Sequence, residues 1–227
     1  MYCGEQTAVK YQGNERLAVS LRCHSWNCEE CAEVRRRGLT AQAIAGKPDK
    51  FLTLTSKRKD GQTPVDAARA LARSWRLLQG RIKRRYGWQR LPFLAVFQAT
   101  KLGWPHLHIL LRCGWIDQNW LSQTMAELND SPVVDIRPVD NPGRAAAYVA
   151  RYVTRATEKF GTCKRYWQSQ DYDLRTAKEK LEEATVSKKP GGEVIWRNIS
   201  WVVRMWEELG WQVKWLDHRR AVAALPP

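Results

Sequence analysis

Apolar and polar positions recur along this chain with two periods, one of two residues and one of three to four. Ala8-Val9-Lys10-Tyr11 and Leu17-Ala18-Val19-Ser20-Leu21 flank Gln12-Gly13-Asn14-Glu15, which predicts a β-hairpin. Phe51-Leu52-Thr53-Leu54-Thr55 alternates apolar and hydroxyl side chains, the mark of a half-buried strand with Thr53 and Thr55 on one side. Val65, Ala68, Leu71, Ala72, Trp75, Leu78 and Ile82 then recur at three and four, a helix with one core face. Thr63 stands ready as its N-cap and Pro64 as its first residue. Phe93-Leu94-Ala95-Val96-Phe97-Gln98-Ala99 reads as the next strand, turning near Gly103 into a buried strand Leu107-His108-Ile109-Leu110-Leu111. A helix over residues 117–128 and a strand over 133–139 follow. Asn141-Pro142-Gly143 breaks the chain before a helix whose apolar stripe is Val149, Val153, Ala156 and Phe160. Beyond that the signal fades. Residues 171–184 carry helical periodicity, Ser187-Lys188-Lys189-Pro190-Gly191-Gly192 is a basic loop, and Asn198 or Ser200 caps a helix through Trp201, Val202, Met205, Trp206 and Leu209. The pattern predicts an α+β chain.

Charge changes this picture. Of 227 residues 38 are Lys or Arg and 23 Asp or Glu, a net +15, which favours a polyanionic partner and nucleic acid before membrane. No apolar run approaches the ~20 residues a membrane span needs. The N-terminus lacks the basic start and apolar core of a signal peptide, so a cytoplasmic location is expected, where thiols stay reduced. Twelve tryptophans offer base-stacking surfaces as well as core.

If Tyr11 pairs near Arg16, the first hairpin brings Cys3 across from Cys23 and His24, with Cys28-Glu29-Glu30-Cys31 just beyond. Cys3, Cys23, Cys28 and Cys31 suit a structural zinc ion, because four thiolates close its tetrahedral sphere. His24 is an alternative to one of the cysteines, and reduced cysteines scattered in a small polar lobe are the alternative to a site. Cys31 opens a helix carrying Arg35, Arg36 and Arg37, either a phosphate-facing surface or a solvated one. Cys113 and Cys163 have no partner at ligand spacing and read as structural.

His106 and His108 are two of only four histidines, and on a strand they share a face while Leu107 points away. They make half of a metal site or simply line a polar strand face. Pairing of the two central strands sets Gln98 opposite His106 or His108, so its amide oxygen is a candidate third ligand or an ordinary polar group. On the helix after Gly143, Arg144, Tyr148, Arg151, Tyr152 and Arg155 form a second stripe. Its two phenols stand about one turn, roughly 6 Å, apart along the axis. Cations beside a tyrosine favour the phenolate and hold phosphate, so either phenol fits a phosphoryl nucleophile.

These elements in this order resemble the HUH endonuclease superfamily, in particular rolling-circle replication initiators of single-stranded DNA phages and plasmids. Cys23 and Cys28-x2-Cys31 followed by arginines look like the cysteine-rich leader of phage-type initiators. Phe51-Leu52-Thr53-Leu54-Thr55 looks like the first motif, Pro105-His106-Leu107-His108 like the second, and Ala147-Tyr148-Val149-Ala150-Arg151-Tyr152-Val153 like the third in its two-tyrosine form. The resemblance spans roughly residues 20 to 156. It departs at Arg151, where the family usually has lysine, and at Gln98, where relatives often carry a carboxylate or histidine.

The resemblance implies an HUH fold, a central antiparallel sheet of about five strands, ferredoxin/RRM-like, flanked by helices. It implies a zinc-binding leader over residues 1–47, the endonuclease domain over 48–160, and a mostly helical appendage over 161–227. It also implies Mg²⁺ or Mn²⁺ held by His106, His108 and Gln98. Tyr148 or Tyr152 would become joined to the 5′-phosphate of single-stranded origin DNA, often at a hairpin, and leave a 3′-OH to prime host DNA polymerase. Arg151 would clamp phosphate, and Arg35, Arg36, Arg37, Arg144 and Arg155 would contact DNA. With no Walker-type loop present, a helicase would be a host protein. A transposase of the same superfamily and a zinc-stabilised nucleic-acid-binding regulator without chemistry are the alternatives.

Overall fold

The computed structural model describes residues 3–155, 160–173 and 192–224; the side chains of residues 12, 152–155 and 192 are outside that description. It is a mixed α+β chain of two antiparallel five-stranded sheets and, among the described residues, five helices. Two compact units divide it, one of residues 33–175 and one of residues 1–32 with 176–227.

The unit of residues 33–175 is built on a sheet of β3 (Lys50–Thr55), β4 (Phe93–Ala99), β5 (Pro105–Leu111), β6 (Val134–Pro138) and β7 (Tyr166–Gln168), in the order β6-β3-β5-β4-β7. Side chains of cross-strand partners share a face. One face presents Leu52 and Leu54, Phe93, Ala95 and Phe97, and Leu107, Ile109 and Leu111, which form one core with α2 (Pro64–Tyr86) and α3 (Gln118–Asn129). The stripe expected on α2 is the side it buries, including Trp75, Leu78 and Ile82.

Local chemistry sets the ends of both helices. The Asp66 amide donates to Thr63 Oγ1 at 3.2 Å and the Trp120 amide to Asp117 Oδ1 at 2.9 Å; such caps contribute roughly 1 kcal/mol each. Gly87 closes α2 in the left-handed region, φ 68°. At the far edge the fully buried Tyr172 donates to the Ala43 carbonyl at 2.9 Å, under Gly46 near the end of α1 (Glu29–Ala45). A Cβ on Gly46 would enter that ring.

The second face of this sheet carries Thr53 and Thr55 on β3, Gln98 on β4 and His106 and His108 on β5. The helix α4 (Pro142–Arg155) buries Ala146, Val149 and Ala150. One sheet thus turns its apolar side to α2 and α3 and its polar side to chemistry.

In the other unit, β1 (Thr7–Gln12) and β2 (Glu15–Ser20) form the expected hairpin, with Tyr11 opposite Arg16. They join β8 (Gly192–Ile195), β9 (Gln212–Asp217) and β10 (Arg220–Ala224) in the order β8-β1-β2-β10-β9. The helix α5 (Ile199–Glu208) covers Val9, Ala18, Ala221 and Ala223 with Ile199, Val202, Val203 and Trp206. Asn198 is its N-cap, accepting from the Trp201 amide at 2.9 Å.

The tail therefore departs from the mostly helical appendage expected of it. Among its described residues it holds one helix and three strands, and two of those strands, β8 and β10, pair directly with the N-terminal hairpin. The helix expected over residues 171–184 and the basic loop after it fall almost wholly outside the described residues.

Candidate active site

The turn between β4 and β5 fixes the histidine strand. Gly103 takes φ 74°, its amide donates to the Thr100 carbonyl at 2.9 Å, and the Thr100 amide donates to the Trp104 carbonyl at 2.8 Å. In the resulting register Gln98 pairs with His106, and Thr55 pairs with His106 from the other side. His108 lies between Thr53 and Val96.

His108 is 4% exposed, and both ring nitrogens are engaged. Nδ1 lies 3.1 Å from Thr53 Oγ1, and Nε2 faces the Gln98 amide oxygen Oε1 at hydrogen-bonding distance. A hydroxyl on Nδ1 fixes the orientation of the ring, the usual way a second-layer group aims a histidine at a metal. The donor set of His106, His108 and the Gln98 amide oxygen, converging from two strands, fits an oxygen- and nitrogen-ligated divalent cation.

Burial pushes the His106 imidazole below its ordinary value. Burial, with the neighbouring His106 adding to it, pushes His108 down to about 4. Both rings are therefore neutral at physiological pH, the form that can ligate.

The same shift governs stability. The unfolded chain protonates His108 near its ordinary 6.5, whereas the folded chain resists until about 4. Above 6.5 the two states bind equally few protons. As pH falls from 6.5 towards 4 the unfolded state alone gains one, so stability drops by up to about 3 kcal/mol. Urea denaturation of metal-free protein across that window should show the fall, and His108→Gln should flatten it. An equal slope in the variant would assign the effect elsewhere.

The helix α4 sets Tyr148 against this pair. Its ring centroid is 5.9 Å from that of His108 and 5.6 Å from that of Phe51, which itself stacks on His108 at 5.4 Å. Tyr148 remains 40% exposed, so one end of the ring is packed and the rest is open. A groove of about 510 Å³ runs beside it, lined by Phe51, Thr53, Asp135, Arg137, Arg144 and Tyr148. Arg144 and Arg151 are exposed on the same helix. Tyr152 and Arg155 lie in α4, but their side chains are outside the described residues.

Sequence reasoning missed Thr53 as the partner of His108 and Phe51 as the ring between histidine and tyrosine. The signal was present in the alternation of Phe51, Thr53 and Thr55, but only the pairing of β3 with β5 turns it towards the histidines.

In the other unit Cys3, Cys23, Cys28 and Cys31 stand together, their sulfurs all within 4.8 Å of one another. Cys3 Sγ is 3.5 Å and Cys23 Sγ 3.7 Å from Cys31 Sγ. Four convergent thiols are a donor set that could hold a metal such as zinc. Arg219, a residue with no sequence signal, donates to Cys3 Sγ at 3.4 Å and pairs with Glu30. Burial alone would raise the Cys3 thiol; the hydrogen bonds from the Cys23 backbone, Arg219 and Cys31 outweigh it and hold Cys3 at about 6. Burial and the neighbouring sulfurs push Cys31 up to about 12.

Among the arginines expected on DNA, Arg36 and Arg37 both pair with Glu33, at 2.5 and 2.9 Å, on an exposed surface where such pairs contribute little. Arg35 is half-buried, close enough to Arg165 to add to the lowering that burial imposes on that guanidinium.

Comparison with known proteins bears on the unit that holds the histidines. Residues 49–157 match a family model, that of the replication-associated protein ORF2 family. The matched span contains β3 to β6 and all of α4, and with them every group placed around His108 above. The match supports a replication initiator of the Rep type and, with it, interaction with DNA. No curated protein and no solved structure matches the chain. Among the described residues no helix is long and apolar enough to cross a membrane.

Proposed function

We propose that the chain is an HUH-type endonuclease that nicks and rejoins single-stranded DNA at a replication origin, in its two-tyrosine form. The observation that supports this best is the packing of a half-exposed tyrosine, Tyr148, on a buried histidine whose Nε2 faces a second candidate ligand. The Mg²⁺ or Mn²⁺ that His106, His108 and Gln98 would hold supplies charge to polarise the scissile phosphate.

Tyr148 Oη attacks phosphorus in line while the bond from phosphorus to the 3′-oxygen breaks. The phenolic proton passes to solvent and the departing oxygen takes one up, leaving a phosphotyrosine on the 5′ side and a free 3′-OH. Arg151, three residues on, stays charged and holds phosphate oxygens; it does not serve as proton donor. Tyr152 is the second nucleophile, receiving the strand when the origin is regenerated. The phosphodiester energy is kept in the covalent link, so nicking and joining need no nucleotide triphosphate. Zinc held by Cys3, Cys23, Cys28 and Cys31 is a structural ion with no open position.

The test is incubation of the full chain with single-stranded origin oligonucleotides and Mn²⁺. A covalent protein–DNA adduct is expected, carried by Tyr148 or Tyr152 on peptide mapping and abolished when both are changed to Phe. Adduct formation by the double variant would remove the nucleophile assignment. DNA binding without any adduct on any strand would favour a non-catalytic regulator.

A further inference from the structure

A cavity of about 630 Å³ opens on the other side of His106, against the β4–β5 turn. Its walls include Trp104, Arg58, Lys101 and His106 itself. Trp104 is held rigidly. Its indole Nε1 donates to the Ser56 carbonyl at 3.0 Å and its amide to Thr100 Oγ1 at 3.0 Å. The ring's one polar atom is therefore satisfied, and what it offers the cavity is π-surface. Trp104 takes no part in the core that α2 and α3 cover, unlike Trp75, Trp88, Trp120 and Trp167.

Arg58 and Lys101 are exposed cations, and the Arg58 guanidinium carbon stands 5.9 Å from the Trp104 ring centroid. Among the described residues no carboxylate lines this cavity, whereas the groove beside Tyr148 contains Asp135 and Asp140. A fixed aromatic platform with two cations and no anion beside it is the chemistry of a site for an unpaired base and its phosphates. The volume falls in the range of small-ligand sites, roughly 300–1,000 Å³.

We propose that this cavity binds one unpaired base of the substrate strand beside the scissile phosphate, stacked on Trp104, with Arg58 and Lys101 on the adjoining phosphates. The proposal rests on the nuclease reading for the place of the base, and it makes Trp104 a specificity-determining residue. Stacking on one aromatic ring contributes about 1–3 kcal/mol per base, so its loss should weaken binding by roughly 10-fold.

The experiment uses the full chain and an origin oligonucleotide in which an abasic residue is moved position by position across the cleavage site. Binding is read by fluorescence anisotropy in EDTA and adduct formation in Mn²⁺. Wild type should lose about 10-fold in affinity at one abasic position within two nucleotides of the cleaved bond. Trp104→Ala should bind the intact strand about 10-fold more weakly and no longer sense that abasic position, while Trp104→Phe restores most of both. At saturating DNA the Trp104→Ala adduct rate should stay within about 3-fold of wild type, since a base platform acts on binding and not on the chemical step. Arg58→Ala with Lys101→Ala should lower the salt dependence of binding by a slope of about 1–2. Unchanged affinity and an unchanged abasic profile in a folded Trp104→Ala protein overturn the proposal. If no strand forms an adduct but the anisotropy pattern holds, the base site stands and the nuclease reading falls.

Discussion

Replacing His108 with alanine lowers the rate of adduct formation by about 10³-fold, the largest effect expected of any single non-nucleophilic residue on the proposed mechanism. Three losses coincide at that position. A ligand nitrogen goes from the place where it faces Gln98 Oε1; the Thr53 hydroxyl loses its partner; and the ring on which Tyr148 and Phe51 pack disappears. The last loss frees the nucleophile to wander, and misplacement by about 1 Å is itself costly, up to roughly 10² in rate. Gln98→Ala removes one neutral ligand from an open edge and keeps the packing, so about 10–100-fold is expected there. Thr53→Val leaves every ligand in place and loses only the orientation of the ring, with a cost at the lower end of that range. Single-turnover adduct rates against Mn²⁺ concentration separate the three. Excess Mn²⁺ should restore much of the Gln98→Ala rate and little of the His108→Ala rate. Wild-type rates in His108→Ala would remove the metal site from β5 altogether.

How far this arrangement could be read from the chain depends on the range of the interactions that make it. The core stripe of α2 and its cap at Thr63 are local, and both are legible in period and side-chain chemistry. The β4–β5 hairpin is nearly local: a short turn at Gly103 leaves few registers, and all of the even ones put Gln98 on the histidine face. The β1–β2 hairpin is the same case, with Tyr11 opposite Arg16 and Cys3 carried towards Cys23. The hydrogen bond from Thr53 to His108 joins residues 55 apart, and no pattern in either segment announces it.

The tail shows the limit most clearly. β10 pairs with β2 across some two hundred residues, and Arg219 at its threshold reaches Cys3. A strand of Arg-Ala-Val-Ala-Ala has weak β-propensity and a short alternation. Its partner makes it a strand, and the partner lies at the other end of the chain. Reading that segment as helix or loop was the natural result of asking only its neighbours.

Removing metal from the cysteine cluster should melt the unit that contains it. This is the second large effect, and it follows from how little else holds that unit. The core between α5 and its sheet is small, and half of its eight buried residues are the small Ala18, Ala221 and Ala223 and the edge contact Ile199. Binding of zinc to four cysteines contributes on the order of 10 kcal/mol in small zinc modules, comparable with the whole stability of an ordinary domain. Without the ion, four sulfurs within 4.8 Å of one another remain, one favoured as thiolate by Arg219 and one, Cys31, strongly disfavoured as thiolate by burial.

Zinc release should therefore be stoichiometric, one ion per chain, when a thiol-modifying reagent is titrated against a colorimetric chelator. Hydrogen exchange of β1, β2 and β10 should accelerate on chelation by about 10³-fold or more, and that of β3 to β5 should change far less, because their core carries no metal-linked cysteine. Cys31→Ser should reproduce the chelator's effect, while Cys113→Ser should not. Arg219→Met should lie between them, since it keeps four ligands but removes the guanidinium that offsets the charge of a tetrathiolate. Uniform exchange across both sheets after chelation would mean that the cluster is not what holds the hairpin to the tail.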